Sequence, residues 1–206
     1  MRLYIIRHGE TEWNQSMRLQ GQTDVALNEG GRSLARVTAS ALHAVSFDLC
    51  FTSPLSRAKE TAQLVLAGRA VPILEDSRIQ EIGFGAGEGR RVRNAAREIT
   101  DPVFYRFFHQ PEQYVAPEGG ESLDELLART GAFLEELASR RELMGKTILV
   151  STHGAASRAL LANIRNCPKT DFWDTGVPKN CAVTIVDREM EPARWVIREQ
   201  DVVYGM

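Results

Sequence analysis

Short apolar runs alternate with stretches of helical spacing along this chain, and that alternation limits the possible folds more than any other feature. Strands are predicted at residues 3–6, 47–51, 71–74 and 147–152. Two later runs, 182–186 and 195–197, predict a closing hairpin or a near equivalent. Strands that alternate with helices predict an α/β fold with a mostly parallel sheet covered by helices on both faces.

Capping residues mark where helices are expected to begin. Ser53 and Pro54 offer an N-cap serine followed by a proline that suits the first helical position. Ser122 and Glu125 form a capping box before the amphipathic pattern of residues 123–137. Each of these starts directly follows a predicted strand or loop, as the α/β pattern requires.

The composition is that of a globular chain of 206 residues, which fits one domain over residues 1–206. The 25 Lys and Arg against 27 Asp and Glu leave a formal net charge of −2, which argues against a nucleic-acid partner. No apolar run approaches the roughly 18 residues of a membrane span, and the N-terminal run is too short for a signal peptide. Three cysteines without a C-x-x-C pair predict reduced thiols. The simplest expectation is a cytoplasmic protein without a membrane partner.

Residues 83–120 interrupt the alternation. Glycines dominate the first part of this segment, and aromatic residues between prolines dominate the second, which predicts a non-repeating insertion. Phe104, Phe108 and Tyr114 fit either an apolar lid over a substrate or a secondary hydrophobic cluster. A basic run follows the glycines and fits either a solvated face or contact with a second anionic group of a substrate; it consists of Arg90, Arg91 and Arg93.

Polar clusters follow three of the predicted strands, at residues 7–9, 53–57 and 152–154. The carboxyl ends of parallel strands share one edge of a sheet, and ligands bind beyond that edge. We therefore expect one site that collects two histidines, two arginines and a carboxylate from the loop after residues 71–74. These residues are His8, His153, Arg7, Arg57 and Glu81.

Two chemistries fit these residue types. Two histidines and a carboxylate can form a metal triad, but the fixed charges of Arg7 and Arg57 repel a divalent cation and suit a phosphate dianion. Helix N-termini near Ser53 and Gly154 would add N–H donors. A neutral imidazole can accept a phosphoryl group, and a carboxyl can give the leaving group its proton. The residue types thus favour phosphoryl transfer through a phosphohistidine, while the metal triad stays open.

Four separated motifs resemble the histidine phosphatase superfamily, also called phosphoglycerate-mutase-like. In chain order they are LYIIRHGET (3–11), TSPLSRAKET (52–61), EIGFG with Glu88-Gly89 (81–89) and VSTHG (150–154). The resemblance covers nearly the whole chain. It implies a three-layer α/β/α sandwich with a mixed, mostly parallel six-stranded sheet, and it assigns residues 83–120 as a lid or specificity insertion.

The resemblance also implies a role for each matched residue. His8 would be the phosphorylated nucleophile, with its non-attacking nitrogen bound to a backbone carbonyl, and Glu81 would be the proton donor. Arg7, Arg57 and His153 would form the phosphate pocket. The partner would be a small phosphorylated substrate, with no metal and no cofactor. Further substrate-binding positions would be Asn14, Gln20, Gly21 and Gly154.

Two departures from the mutases of this family favour hydrolysis. Ala155 stands where the mutases have Asn, and the insertion is shorter than theirs. The insertion is similar to that of broad-specificity phosphatases, and residues 45–49 are similar to α-ribazole phosphatases. The expected function is a metal-independent phosphomonoesterase for small phosphorylated metabolites. A cofactor-dependent phosphoglycerate mutase, an α-ribazole phosphatase and a non-catalytic phospho-ligand binding module are the alternatives.

Overall fold

The structure is a computed structural model that describes residues 1–92, 94, 96 and 98–205. Six strands and six α-helices alternate through most of its length. The strands are β1 (Arg2–Arg7), β2 (Leu49–Thr52), β3 (Ile73–Glu75), β4 (Thr147–Thr152), β5 (Val183–Met190) and β6 (Ala193–Val202). The helices are α1 (Glu12–Gln15), α2 (Glu29–Ala41), α3 (Ser56–Leu66), α4 (Pro102–His109), α5 (Leu123–Ser139) and α6 (Gly154–Arg165).

The strands form one sheet in the order β3-β2-β4-β1-β5-β6. The pairs β1·β4, β2·β4 and β2·β3 are parallel, whereas β5 runs antiparallel to β1 and pairs with β6 as a hairpin. Arg7 pairs with Thr152, and Thr52 pairs with Ser151, so β1, β2 and β4 end at the same edge. This sheet confirms the predicted mixed, mostly parallel arrangement, and its register brings together the residues that follow these three strands.

Helices cover both faces of the sheet, because alternate side chains of a strand point to opposite faces. On one face Leu3 and Ile5 of β1 belong to a buried cluster with Phe133 of α5 and Leu160 of α6. On the other face the intervening side chains of β1 pack in a cluster that includes Ala62 of α3. The fold is therefore the predicted three-layer α/β/α sandwich. None of the helices in the described ranges is long and apolar enough to cross a membrane.

Helix α3 begins two residues later than Ser53 and Pro54 predict, so the predicted N-cap is wrong. The N-cap position is Leu55, which makes no side-chain cap hydrogen bond. The missing cap hydrogen bond is supplied by Asp24 from a separate loop, since the Asp24 carboxylate accepts from the backbone N–H of Ser56 at 2.8 Å. The α3 N-terminus is thus bound by Asp24, and Ser53 is left to make a different contact, described below.

Residues 83–120 contain more regular structure than predicted. Asp101 caps helix α4, and Phe104 and Phe107 of that helix pack edge-to-face on Phe84 at centroid distances of 5.8 and 5.1 Å. Within the basic run, Arg90 donates to Asp101 at 2.8 Å, while Arg93 lies outside the described residues. Aromatic packing therefore fixes α4 against the glycine-rich first part of the segment.

Candidate active site

Two buried histidines lie side by side at the edge where β1 and β4 end. His8 follows β1 and is 3% exposed, and His153 follows β4 and is fully buried. Their ring centroids are 5.1 Å apart, with the planes inclined by 56°. Parallel pairing of β1 and β4 brings together residues that are far apart in the chain, as the sequence predicts.

The imidazole of His8 has one nitrogen fixed by the backbone. Its Nδ1 lies 2.7 Å from the carbonyl oxygen of Gly9. A carbonyl only accepts hydrogen bonds, so Nδ1 carries the proton and Nε2 keeps its lone pair. Burial lowers the pKa of His8 well below 6.5, and the nearby charges of Arg57 and Arg7 lower it further. At neutral pH the ring is therefore uncharged, with Nε2 as its nucleophilic atom.

Arg57 is fully buried on the first turn of α3 and is held by carbonyl oxygens. Its Nη1 donates to the carbonyl of Thr23 at 3.0 Å, and its Nη2 donates to that of Gly21 at 2.6 Å. Burial lowers its pKa to about 10. The group therefore remains a cation at neutral pH, with its orientation set by the loop that contains Gly21 and Thr23.

Several buried side-chain nitrogen atoms of the predicted site have no hydrogen-bond partner among the described residues. Arg7 donates through Nη1 to the carbonyl of Pro178, but its Nε is unpartnered. Six buried side-chain atoms of the described residues share this state, and four belong to the predicted site: Arg7 Nε, Gln20 Nε2, Arg57 Nε and His153 Nδ1. An unsatisfied buried donor costs about 1–3 kcal/mol, so such a group in a native fold calls for an explanation. Donors from two arginines suit an anion with several oxygens, such as phosphate.

Glu81 lies at the N-terminus of α6 and is almost fully buried. Its Oε2 accepts from the N–H of Ala155 at 3.2 Å, and its Oε1 accepts from the N–H of Ala156 at 3.0 Å. The carboxyl group therefore occupies the amides of Ala155 and Ala156, and the expectation that the α6 N-terminus gives an N–H donor to a phosphate stays a prediction for the amide of Gly154. Gly154 lies next to the side chains of both Glu81 and Arg7: a Cβ built on it would lie 3.5 Å from Glu81 Oε2 and 3.7 Å from Arg7 Nε.

Asn14 reaches the site from α1 and Gln20 from the loop that follows this helix, whereas Gly21 acts through its backbone. The Oδ1 of Asn14 accepts from Asn180 Nδ2 at 3.2 Å, and the Oε1 of Gln20 accepts from the hydroxyl of Thr11 at 3.0 Å. Gly21 contributes the carbonyl that orients Arg57. The structure thus places Asn14 and Gln20 on the cavity wall and Gly21 behind Arg57.

A cavity of about 120 Å³ opens beside His8 and Glu81. Its polar lining includes Arg7, His8, Asn14, Arg18, Gln20 and Glu81. Its other side, here called the apolar wall, consists of Leu19, Phe84, Val92, Phe107, Phe108 and Trp173. Of the three predicted lid aromatics only Phe108 lines the cavity, because Phe104 and Tyr114 are buried behind it in the hydrophobic cluster.

Sequence reasoning missed three residues that support the site. Glu88 accepts from the N–H groups of Gln22 at 2.8 Å and Thr23 at 2.6 Å, which fixes the loop that holds Arg57. Its place in a matched motif was the only available signal. Arg129 of α5 donates to the carbonyl of Glu81 at 3.1 Å, and Asn180 donates to that of His8 at 3.0 Å. Nothing in the local sequence marks either residue.

Among the described residues, no group of three His, Cys, Asp or Glu side chains is arranged to hold a metal ion. The charges that surround the two histidines are instead guanidinium groups. Arg57 and Arg7 both lower the pKa of His8 and of His153, because each guanidinium lies close to both imidazoles. The geometry and charge of the site therefore suit an anionic ligand.

Comparison with known proteins agrees with this geometry. The chain matches the histidine phosphatase superfamily (branch 1) over residues 3–201. It is 35% identical over 166 residues to the 2,3-bisphosphoglycerate-dependent phosphoglycerate mutase 2 of Gloeobacter violaceus, covering 79% of this chain and 74% of that protein. It is 32% identical over 181 residues to the adenosylcobalamin/alpha-ribazole phosphatase of Escherichia coli, covering 88% and 87%. The structure of Bacillus stearothermophilus YhfR matches with a TM-score of 0.87 and 32% identity, covering 98% of this chain and 97% of that one. This chain belongs to the histidine phosphatase superfamily.

Proposed function

We propose that this protein is a phosphomonoesterase that needs no metal and works through a phosphohistidine on His8. One observation carries the proposal: unpartnered buried N–H donors of Arg7 and Arg57, with His153 beside them, flank a neutral histidine whose Nε2 lone pair is free. A phosphate dianion satisfies these donors and balances the charge of the arginines. The bound phosphorus then faces a nucleophile that is already in the required protonation state.

The reaction proceeds in two displacements. Nε2 of His8 attacks phosphorus, the bond from phosphorus to the ester oxygen breaks, and the protonated carboxyl of Glu81 gives that oxygen its proton. Water then attacks the phosphohistidine, Glu81 takes a proton from it, and the P–N bond breaks to release inorganic phosphate. The developing charge on the transferred group is stabilised by the N–H donors of Arg7, Arg57 and His153.

Water rather than a second phosphorylated metabolite is the proposed acceptor. A mutase must protect its phosphohistidine from water while the intermediate turns round. Ala155, which lines the cavity, has a methyl side chain and offers the intermediate no side-chain hydrogen bond. One relative is a mutase and another is a phosphatase, so similarity does not decide between these two activities for this chain. The proposal that it is a phosphatase therefore depends on the residues of this cavity.

The apolar wall indicates the kind of ester. Phe107, Phe108 and Trp173 pack on one another with centroid distances of 4.9 to 5.5 Å, which makes a rigid aromatic surface beside the reacting atoms. Such rings contribute apolar contact area that a small acidic metabolite does not use. We therefore propose that bulky apolar monoesters are better substrates than small acidic ones.

Replacement of His8 tests the mechanism. We expect the wild type to release phosphate from p-nitrophenyl phosphate in the presence of EDTA, and to show one acid-labile, base-stable phosphate on His8 after rapid quenching. His8→Ala should lose at least roughly 10³-fold in kcat, the scale seen when a nucleophile is removed. Intact protein mass and proteolytic mapping locate the phosphate.

Three results would contradict the proposal. A His8→Ala protein with near-normal turnover would exclude His8 as the nucleophile. Activity that EDTA abolishes and Mg²⁺ or Zn²⁺ restores would favour the metal triad. Rapid interconversion of 2- and 3-phosphoglycerate in the presence of 2,3-bisphosphoglycerate, without phosphate release, would make the protein a mutase.

The low pKa of His8 predicts how stability depends on pH. In the unfolded chain a histidine gains its proton near pH 6.5, whereas His8 in the fold resists protonation to a lower pH. The unfolded state then binds more protons, so the free energy of unfolding falls as the pH drops below 6.5, by at most about 1.4 kcal/mol per pH unit for this one group. Urea titrations between pH 7.0 and 5.5 should show a smaller fall for His8→Asn than for the wild type. Equal slopes would show that His8 is not held neutral.

Glu81→Gln tests the proton donor. The amide cannot protonate the leaving group, and it also disturbs the N-terminus of α6, so every substrate should become slower. Alkyl phosphates should lose about 10²-fold more than p-nitrophenyl phosphate, because p-nitrophenolate leaves without help. The ratio of kcat/KM for the two substrates is the measurement, and the exposed Glu112→Gln serves as a control with an unchanged ratio. Equal losses for both substrates would remove Glu81 from this role.

Phe108→Ala tests the apolar wall. Loss of one ring from a hydrophobic subsite should lower kcat/KM for 1-naphthyl phosphate by about 10- to 100-fold. The kcat/KM for glycerol 3-phosphate should change little, because this small ester has no apolar group to pack on the Phe108 ring. Tyr105→Ala is the matched control, since Tyr105 lies on the same helix, is 46% exposed and does not line the cavity. A parallel loss for both esters, or the same selectivity change in Tyr105→Ala, would refute the assignment.

A further inference from the structure

Ser53 makes a contact that its expected role as a helix cap does not explain. It lies directly after β2, is fully buried, and places its Oγ 2.7 Å from Nε2 of His153. The same oxygen accepts from the N–H of Leu55 at 3.3 Å. The other ring nitrogen of His153, Nδ1, is buried without a partner. Together these contacts determine where the proton of His153 must be.

Two arrangements of hydrogens are possible for the pair. If Nε2–H donates to Ser53, the oxygen accepts from both His153 and Leu55, and the hydroxyl proton has no acceptor among the described residues. A buried donor without an acceptor is costly. If instead the hydroxyl donates to Nε2, every hydrogen-bonding atom of Ser53 is satisfied. In that arrangement the proton of the neutral ring lies on Nδ1 and this N–H is the one unsatisfied group of the pair, whereas the first arrangement leaves both the hydroxyl proton and the Nδ1 lone pair unpartnered within the described part of the chain.

A doubly protonated ring is disfavoured by its surroundings. His153 is fully buried, and the groups that face it are cationic or basic: Arg57 from α3, His8 and Arg7 from the end of β1, and Arg129 from α5. Burial and these neighbours hold the pKa of His153 well below 6.5. The ring is therefore neutral at pH 7, and only the choice of tautomer remains.

We propose that Ser53 is a positioning residue that fixes His153 in its neutral Nδ1–H tautomer, so that the unpartnered Nδ1 is a hydrogen-bond donor. The catalytic consequence rests on the function proposed above, because that N–H would bind a phosphate oxygen. The tautomer itself depends only on the contacts of Ser53 and does not require turnover.

The two histidines then share one tautomer and serve opposite purposes. In His8 the carbonyl of Gly9 holds the Nδ1 proton away from the reacting atoms and leaves the Nε2 lone pair for attack. In His153 the hydroxyl of Ser53 occupies the Nε2 lone pair and leaves the Nδ1 proton for binding. A hydroxyl donor in place of the Gly9 carbonyl would move the proton of His8 to Nε2 and remove its nucleophilic lone pair. A carbonyl in place of the Ser53 hydroxyl would move the proton of His153 to Nε2 and leave a lone pair on Nδ1 facing the anion.

Nitrogen NMR of the full-length protein tests the tautomer directly. The chain has four histidines, so ring ¹⁵N labelling and long-range ¹H–¹⁵N correlation give a small set of signals. The His153 signals are assigned by their loss in His153→Asn. At pH 7 we expect His153 to show a protonated Nδ1 and an unprotonated Nε2. A protonated Nε2, with or without a protonated Nδ1, would overturn the inference.

Variants of Ser53 test the cause. Ser53→Ala removes the hydroxyl, so the Nε2–H tautomer should appear, and Ser53→Thr, which retains the hydroxyl, should keep the wild-type signals. Thr130→Val is the matched control: it removes another fully buried hydroxyl, which bonds to the carbonyl of Leu126 at 2.8 Å on α5. Wild-type His153 signals in Ser53→Ala would show that Ser53 does not set the tautomer.

Kinetics add a separate readout. Loss of the Nδ1–H donor should lower kcat/KM for p-nitrophenyl phosphate by about 10- to 100-fold in Ser53→Ala, the scale of a hydrogen bond to a charged group, with recovery in Ser53→Thr. If the wild type shows the expected tautomer but hydrolyses no monoester, the proposed function fails and this inference stands. If it hydrolyses monoesters with His153 protonated on Nε2, the inference fails and the function stands.

Discussion

The burial of Arg57 is the constraint on which the rest of the site depends. A fully buried guanidinium loses its hydration, and here two backbone carbonyls rather than a carboxylate hold it. Carbonyl oxygens satisfy N–H groups without neutralising the charge. The positive charge therefore remains available to a ligand, and it acts on both histidines, whose pKa values it lowers. The buried cation thus supplies charge for an anion site, and it adds to burial, the larger cause, in keeping His8 neutral.

That arrangement needs a rigid loop, and Glu88 provides it. The carboxylate of Glu88 binds the backbone of Gln22, Thr23 and Phe84, so the two carbonyls that orient Arg57 have fixed positions. Gly21 allows the close approach, because a Cβ at this position would lie 2.3 Å from Glu88 Oε1. Arg57 is therefore held by the loop that contains Gly21, and Glu88 fixes that loop in turn. This dependence explains why separated segments of the chain form a single site.

The sequence predicts the parts of this structure that local patterns determine. Alternating elements predict the sheet, and the rule that ligands bind at the carboxyl ends of parallel strands predicts that the segments bearing His8 and His153 meet. The start of α3 could not be predicted, because Asp24 caps it from a distant loop, which freed Ser53 for His153. The use of the α6 amides by Glu81 and the burial of Phe104 likewise depend on tertiary contacts. Short-range patterns carry no information about such long-range partners.

The two sides of the cavity come from different parts of the fold, and this separation bears on function. The end of β1 supplies Arg7 and His8 of the polar side, whereas α4 and Trp173 supply half of the residues of the apolar wall. Trp173 is tied to α4 by an indole N–H that donates to the carbonyl of Phe107 at 2.6 Å. Changes in this wall would therefore alter the shape of the cavity without moving the arginine donors to which the proposed function assigns the phosphate. The relatives of this chain accordingly include both a mutase and a phosphatase, and the aromatic character of this wall is the observation on which the proposed preference for apolar esters rests.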